Sequence, residues 1–81
     1  MNIIYDEPKR LKTLEARQLD MADLTVAFFD AATIFEAKEG RLKAVGLFGG
    51  DIITVIFKLL GTEALAVISM RRASRKERNA I

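Results

Sequence analysis

Two adjacent arginines, Arg71 and Arg72, stand near the end of this chain, followed by Arg75, Lys76, Glu77 and Arg78. Guanidinium and ammonium groups stay charged at neutral pH, and arginine binds oxyanions through a planar fork that meets two oxygens at once. Residues 71–81 hold five of the thirteen Lys and Arg and one of the eleven Asp and Glu, a net +4 against −2 for the other seventy residues. An anionic partner is the simplest thing such an end can meet. The excluded chemistry is equally informative. The chain has no histidine and no cysteine. That removes the usual base near neutral pH, thiolate and Ser-His nucleophiles, disulfides and the commonest zinc ligands. Any catalysis must run on Lys, Arg, Asp, Glu, Ser, Thr or Tyr5, and neither a metal nor another cofactor is expected.

Fixed elements must hold those cations. Ile68-Ser69-Met70 reads as the end of an apolar strand that delivers Arg71 and Arg72 to an edge. Ser74 followed by Glu77 is a capping box, in which each side chain satisfies one free N–H of a helix start. The strand from Ala64 to Met70 thus runs into a helix from about Arg75. Successive side chains on a strand face opposite ways, so only one of the two arginines shares the face that meets a ligand.

Taken from its beginning, the chain opens with an apolar run, Ile3-Ile4-Tyr5, that fits a first strand. Asp6 then caps a helix, with Pro8 in its first turn. Leu11 and Leu14 lie on one side of this helix, while Lys9, Lys12 and Arg17 make a cationic side. After a break at Gln18-Leu19, Asp20 is placed to cap a second helix, with Met21, Leu24 and Phe28 on its buried face and its end near Asp30-Ala31-Ala32. From Thr33 the period becomes two. Thr33 to Glu36 is a short strand, Ala37 to Gly40 a turn, and Arg41 to Phe48 a strand with Arg41 and Lys43 on one face. Gly49-Gly50-Asp51 is a tight hairpin turn. Ile52 to Leu59 is apolar on both faces, which marks a central strand covered twice. Gly61 to Glu63 turns into the last strand. The Met and Phe residues read as core, and Tyr5 as a core-edge ring.

Eighty-one residues, 51% hydrophobic and 30% charged, make one domain, residues 1–81, with one modest core. The N-terminus is charged by its sixth residue, and uncharged apolar runs such as Ile52 to Phe57 are far below the roughly 20 residues of a membrane helix. The expectation is a soluble, cytoplasmic protein with no membrane partner. The element order β-α-α-β-β-β-β-α implies an α+β fold: a mainly antiparallel sheet of four to five strands with the helices packed on one face. Apolar residues on the other face then call for a partner protein.

Several of these stretches together resemble the BrnT family of bacterial type II toxins, small ribonucleases of the RelE-like fold that pair with a BrnA antitoxin. The likeness spans essentially the whole chain. It lies in Asp6-x-Pro8-Lys9-Arg10, in Arg17-Gln18-Leu19-Asp20-Met21, in Phe28, in Arg41-x-x-x-Val45-Gly46 with Gly49-Gly50, and above all in Ile68-Ser69-Met70-Arg71-Arg72-Ala73 leading to Glu77. The resemblance implies RNA cleavage and growth arrest, neutralisation by a BrnA-like antitoxin that covers the basic edge, and contact with DNA only through that antitoxin. Departures are also present. Ala66 and Leu60 stand where many members carry arginine, Lys58 where threonine is frequent, Ile81 where an aromatic ends the chain, and Arg17 where histidine is common.

Metal-independent RNA cleavage needs the 2′-OH deprotonated, the charge on the crowded phosphate stabilised and the 5′-oxygen protonated. Arg71 and Arg72 suit the second task; the alternative is a solvated strand end paired with an acid such as Glu63. Arg17 and Lys9 join them as candidates on the first helix, whose cationic side is otherwise a solvated surface. Glu77 or Lys9 is the candidate general base, and Glu77 as a helix cap alone is the competing reading. Arg41, Lys43, Arg75 and Arg78 are candidates for RNA binding. With aromatics at 7% and no run of interleaved rings, binding is expected to rest on phosphates rather than bases. Two other functions fit the same residues: a lapsed relative that survives as an antitoxin-binding or regulatory subunit, and a nonspecific nucleic-acid binder.

Overall fold

Short-range capping sets most of the element ends. The Asp6 carboxylate accepts the Lys9 N–H at 3.1 Å and starts α1 (Glu7–Arg17) after β1 (Asn2–Ile4). Gln18 closes that helix in the left-handed region at φ 57°. The computed structural model describes residues 1–81. A 3-10 turn (Met21–Asp23) and α2 (Val26–Ala31) follow, then β2 (Thr33–Glu36), a second 3-10 turn (Lys38–Gly40), β3 (Leu42–Phe48), β4 (Asp51–Leu60), β5 (Ala64–Arg72) and α3 (Arg75–Asn79). A two-residue turn at Gly49-Gly50 joins β3 to β4, with Gly49 at φ 60°.

The strands form one five-stranded sheet in the order β1-β5-β4-β3-β2. It is mixed. β1 runs parallel to β5, and the other three pairings are antiparallel. β1 and β2 occupy opposite edges, so the chain between them must cross the whole sheet, and α1 and α2 make that crossing.

One sheet face carries Ala44, Ile53, Val55, Phe57, Leu65, Val67 and Met70, which join Leu19, Met21, Leu24 and Phe28 in a single buried cluster. Burial of this apolar area is the main stabilising term. Gly46 lets α2 approach closely: a Cβ there would meet the Ala32 Cβ at 3.1 Å and the Phe28 ring at 3.3 Å. Arg10 ties α1 to the loop beyond it, donating to both oxygens of Asp20 at 2.7 and 3.0 Å and to Glu7 at 2.6 Å.

Three expectations change. The second helix is not continuous from Asp20. Asp20 caps only the 3-10 turn, Leu24 is extended at ψ 137°, and the Thr25 hydroxyl starts α2 by accepting the Phe28 N–H at 3.3 Å. Met21, Leu24 and Phe28 are nevertheless buried, because the break keeps all three turned toward the sheet. Secondly, the helices do not share one face. α3 lies across the face opposite the core cluster, where its Glu77 meets Thr54 and Lys43. Thirdly, Phe35 is not core: it pairs with Lys43 on the α3 side of the sheet.

Candidate active site

β5 breaks its own alternation before it reaches the arginines. Ser69 pairs with Ile56 and Val67 with Phe57, so Ile68 is an extra residue, a β-bulge. A one-residue shift exchanges the faces of everything beyond it. Leu65 and Val67 point into the core before the bulge, and Met70 does so after it. Arg71 is thereby placed on the α3 face, beside its ladder partner Thr54, and Arg72 on the core face beside Ile53.

On the α3 face, five donors converge on one carboxylate. Arg71 Nη1 and Nη2 donate to Glu77 Oε1 and Oε2 at 2.7 and 2.9 Å. The Thr54 hydroxyl and the Ser74 N–H each donate to Oε1 at 2.9 Å, and Lys43 Nζ lies 3.1 Å from Oε2. The Ser74 contact is half of the capping box; the Ser74 hydroxyl completes it by accepting the Glu77 N–H at 3.1 Å. Glu77 is therefore a helix cap and the hub of a charged cluster at once. Its side chain is 8% exposed.

Arg71 is the leading reason that the Glu77 carboxyl sits far below the usual carboxylate range. Burial opposes this and is outweighed, while Ser74, Thr54 and Lys43 add to the lowering. A carboxylate held so firmly ionised is a weak proton acceptor near neutral pH. Glu77 instead fixes the cations around it. Arg71 uses its end-on fork for Glu77 and gives a further Nη1 contact to the Arg72 carbonyl at 3.3 Å. Its Nε–H and outer Nη2–H, the side-on fork, have no protein acceptor, and the side chain is 37% exposed. Lys43 spends one of its three N–H donors on Glu77. Two cations around one carboxylate leave a net positive centre with donors to spare, the arrangement an oxyanion requires.

Beside it opens a cleft of about 340 Å³ lined by Phe35, Lys43, Ser74, Lys76, Glu77 and Ala80. Lys43 and Lys76 in its lining, with Arg71 beside them, offer N–H donors that suit an anion.

Of the residues named from the sequence, Arg71, Glu77 and Lys43 are brought together. Arg17 and Arg72 join each other instead. Arg17 donates to the Met70 carbonyl at 2.8 Å, and Arg72 donates to the Arg17 carbonyl at 2.7 Å, with Asp51 3.4 Å from its Nε. This pair fastens the C-terminal end of α1 to β5, and Arg72 places its charge where the helix dipole is negative. Lys9 is exposed on α1, whose C-terminal end is tied to β5 through Arg17 and Arg72, on the side of the sheet away from Glu77. Arg41 precedes β3, lies 3.9 Å from Glu39 and borders a separate cleft of about 330 Å³ with Glu36, Ala37, Gly40 and Leu42. Arg75 and Arg78 are exposed on α3 without an ion pair. Thr54, Lys76 and Phe35 were missed. Thr54 is the sole polar residue between Ile52 and Phe57 and was the readable signal. Lys76 was hidden in a charge run, and Phe35 in a core-like composition.

Ala66 and Leu60, where arginines are absent, face the same way as Lys43 but lie at the other end of β4, Ala66 opposite Lys58. Lys43 pairs with Ile56, about 7 Å of strand from Lys58 and about 13 Å from Leu60, and neither Ala66 nor Leu60 lines the cleft beside Glu77.

A family model described as "Ribonuclease toxin, BrnT, of type II toxin-antitoxin system" matches residues 5–77. The chain is also similar to a crystal structure of the Brucella abortus ribonuclease toxin BrnT, at 54% identity over 93% of this chain and 99% of that one, with a TM-score of 0.84. No curated protein matches.

Proposed function

Because the chain belongs to the BrnT family of ribonuclease toxins from type II toxin–antitoxin systems, we propose that the Glu77-centred cluster is where it holds and cleaves RNA. The observation that carries this is the open side-on fork of Arg71, held in place by Glu77 and flanked by Lys43. A phosphodiester seated there meets guanidinium and ammonium donors that stay charged through the reaction. The adjacent 2′-hydroxyl gives its proton to water as its oxygen attacks phosphorus, the negative charge spreads over the phosphoryl oxygens, and the P–O5′ bond breaks as the 5′-oxygen takes a proton from water, leaving a 2′,3′-cyclic phosphate. Arg71 and Lys43 stabilise the charged stage, which is where preorganised donors contribute most. No metal ion is needed for these steps.

Glu77 and Thr54 act as positioning residues, and Lys76, Arg75 and Arg78 extend the positive surface along α3 for neighbouring phosphates. Arg17 and Arg72 anchor α1 on the opposite face of the sheet and take no part in the cleavage. The finer fold assignment is the RelE-like one. The partner is a BrnA-like antitoxin that covers this face and carries the contact with DNA. No helix of the chain is long and apolar enough to cross a membrane, and we place its action in the cytoplasm.

The test is cleavage of a defined RNA by purified protein in EDTA. Wild type should cut, and Arg71→Ala and Lys43→Ala should each lower the rate by at least tenfold while circular dichroism stays native-like. Full activity in both folded variants would move the chemistry elsewhere.

A further inference from the structure

The chain has six aromatic rings, five Phe and one Tyr. Five belong to the core: Phe28 and Phe57 are buried in the cluster, and Tyr5, Phe29 and Phe48 pack against it. Edge-to-face contacts link the phenylalanines among them, Phe28 with Phe29 and Phe48, and Phe29 with Phe57. Phe35 alone stands on the other face. β2 is the edge strand there, and the pairing of Phe35 with Lys43 sets its ring beside the cluster, with Lys43 Nζ 5.7 Å from the ring centroid. The ring is half-buried and lines the 340 Å³ cleft together with the Ala80 methyl and Lys76. That volume is at the small end for ligand clefts.

We propose that Phe35 forms a nucleobase subsite, in which one base of the RNA stacks on its ring while Lys43 and Lys76 hold the phosphate attached to that nucleotide. The inference rests on the ribonuclease reading and adds a base contact to a site otherwise made of phosphate donors. An apolar ring has no hydrogen bond to offer, so its place among two lysines, a serine and a glutamate contributes face area alone. Every nucleobase has a face that can meet it, which makes the subsite tolerant of base identity. Lys43 serves both parts, since the same ammonium touches Glu77 and approaches the ring. With a single ring available, one nucleotide is gripped by its base and its neighbours by phosphate only.

The experiment follows backbone amide signals of the isotope-labelled full chain during titration with adenosine 5′-monophosphate and, separately, ribose 5-phosphate. The nucleotide should bind wild type about tenfold more tightly than the sugar phosphate, with the largest shifts at Phe35, Lys43 and Ala80. In Phe35→Leu, which keeps apolar bulk without a π-face, the two ligands should bind alike, and Phe35→Trp should restore the preference. RNA cleavage by Phe35→Leu should show a raised KM with kcat little changed. Equal binding of the two ligands by wild type overturns the subsite even if no variant folds. Cleavage by wild type together with that result leaves the ribonuclease reading standing, whereas absence of wild-type cleavage removes the reading itself.

Discussion

Arg71 and Arg72 are neighbours in the chain and serve opposite faces of the sheet. Arg71 grips Glu77 at 2.7 and 2.9 Å on the α3 side, and Arg72 donates to the Arg17 carbonyl at 2.7 Å on the other. Two residues of one type thus have separate tasks, and their substitutions should have separate consequences.

Arg71→Ala is expected to abolish growth inhibition and to destabilise the protein, because the buried Glu77 carboxylate loses its main partner; about 2–4 kcal/mol is the scale for such a loss. Arg72→Ala removes an exposed tie between α1 and β5 and should cost about 1 kcal/mol while cleavage persists. Urea unfolding paired with an RNA cleavage assay separates the two. Equal loss of activity in both variants, at equal stability, contradicts the division.

Acid should expose the Glu77 network. The folded-state carboxyl is depressed, chiefly by Arg71, so its contribution is present above the unfolded pKa of about 4.3 and is lost as pH falls below it. Stability of wild type should decline from about pH 5 downward. Glu77→Gln should be less stable than wild type at pH 7, and the gap should narrow as the pH drops toward 3. Asp20, depressed by Arg10, adds a second decline of the same sign that Glu77→Gln leaves in place. A gap that widens in acid contradicts the assignment.

Thr54 is fully buried, and its hydroxyl donates to Glu77 at 2.9 Å. Thr54→Val keeps the shape and removes the donor, at a cost of about 1 kcal/mol. Arg71, Ser74 and Lys43 still hold the carboxylate, so the variant should remain folded and retain most cleavage. Thermal unfolding and the cleavage rate measure both parts.

Gly46→Ala tests the closeness of α2 to β3. Its methyl would meet Ala32 atoms at 3.1 and 3.2 Å, and overpacking of this kind costs about 1–3 kcal/mol. The unfolding midpoint should fall, with RNA cleavage per folded molecule unchanged, because the contact lies on the face away from Glu77.

Much was settled locally. Asp6 and the Ser74–Glu77 box mark helix starts, Gly49-Gly50 marks the hairpin, and Met21, Leu24 and Phe28 mark buried positions, each through contacts within a few residues. The absence of histidine and cysteine and the cationic C-terminal segment also narrowed the chemistry without any coordinates. The face of each arginine was not settled that way. It depends on the bulge at Ile68, and only the switch from Leu65 and Val67 to Met70 hints at it in the sequence. Helical spacing joined Met21 to Phe28 in one helix, although the Thr25 hydroxyl starts a new one. The side of the sheet taken by α3, and with it the meeting of Lys43, Thr54, Arg71 and Glu77, required strands distant in sequence to pair in one register. Local propensity carries no record of that pairing, because the free energy that selects it comes from burying the opposite face against Leu19, Met21, Leu24 and Phe28.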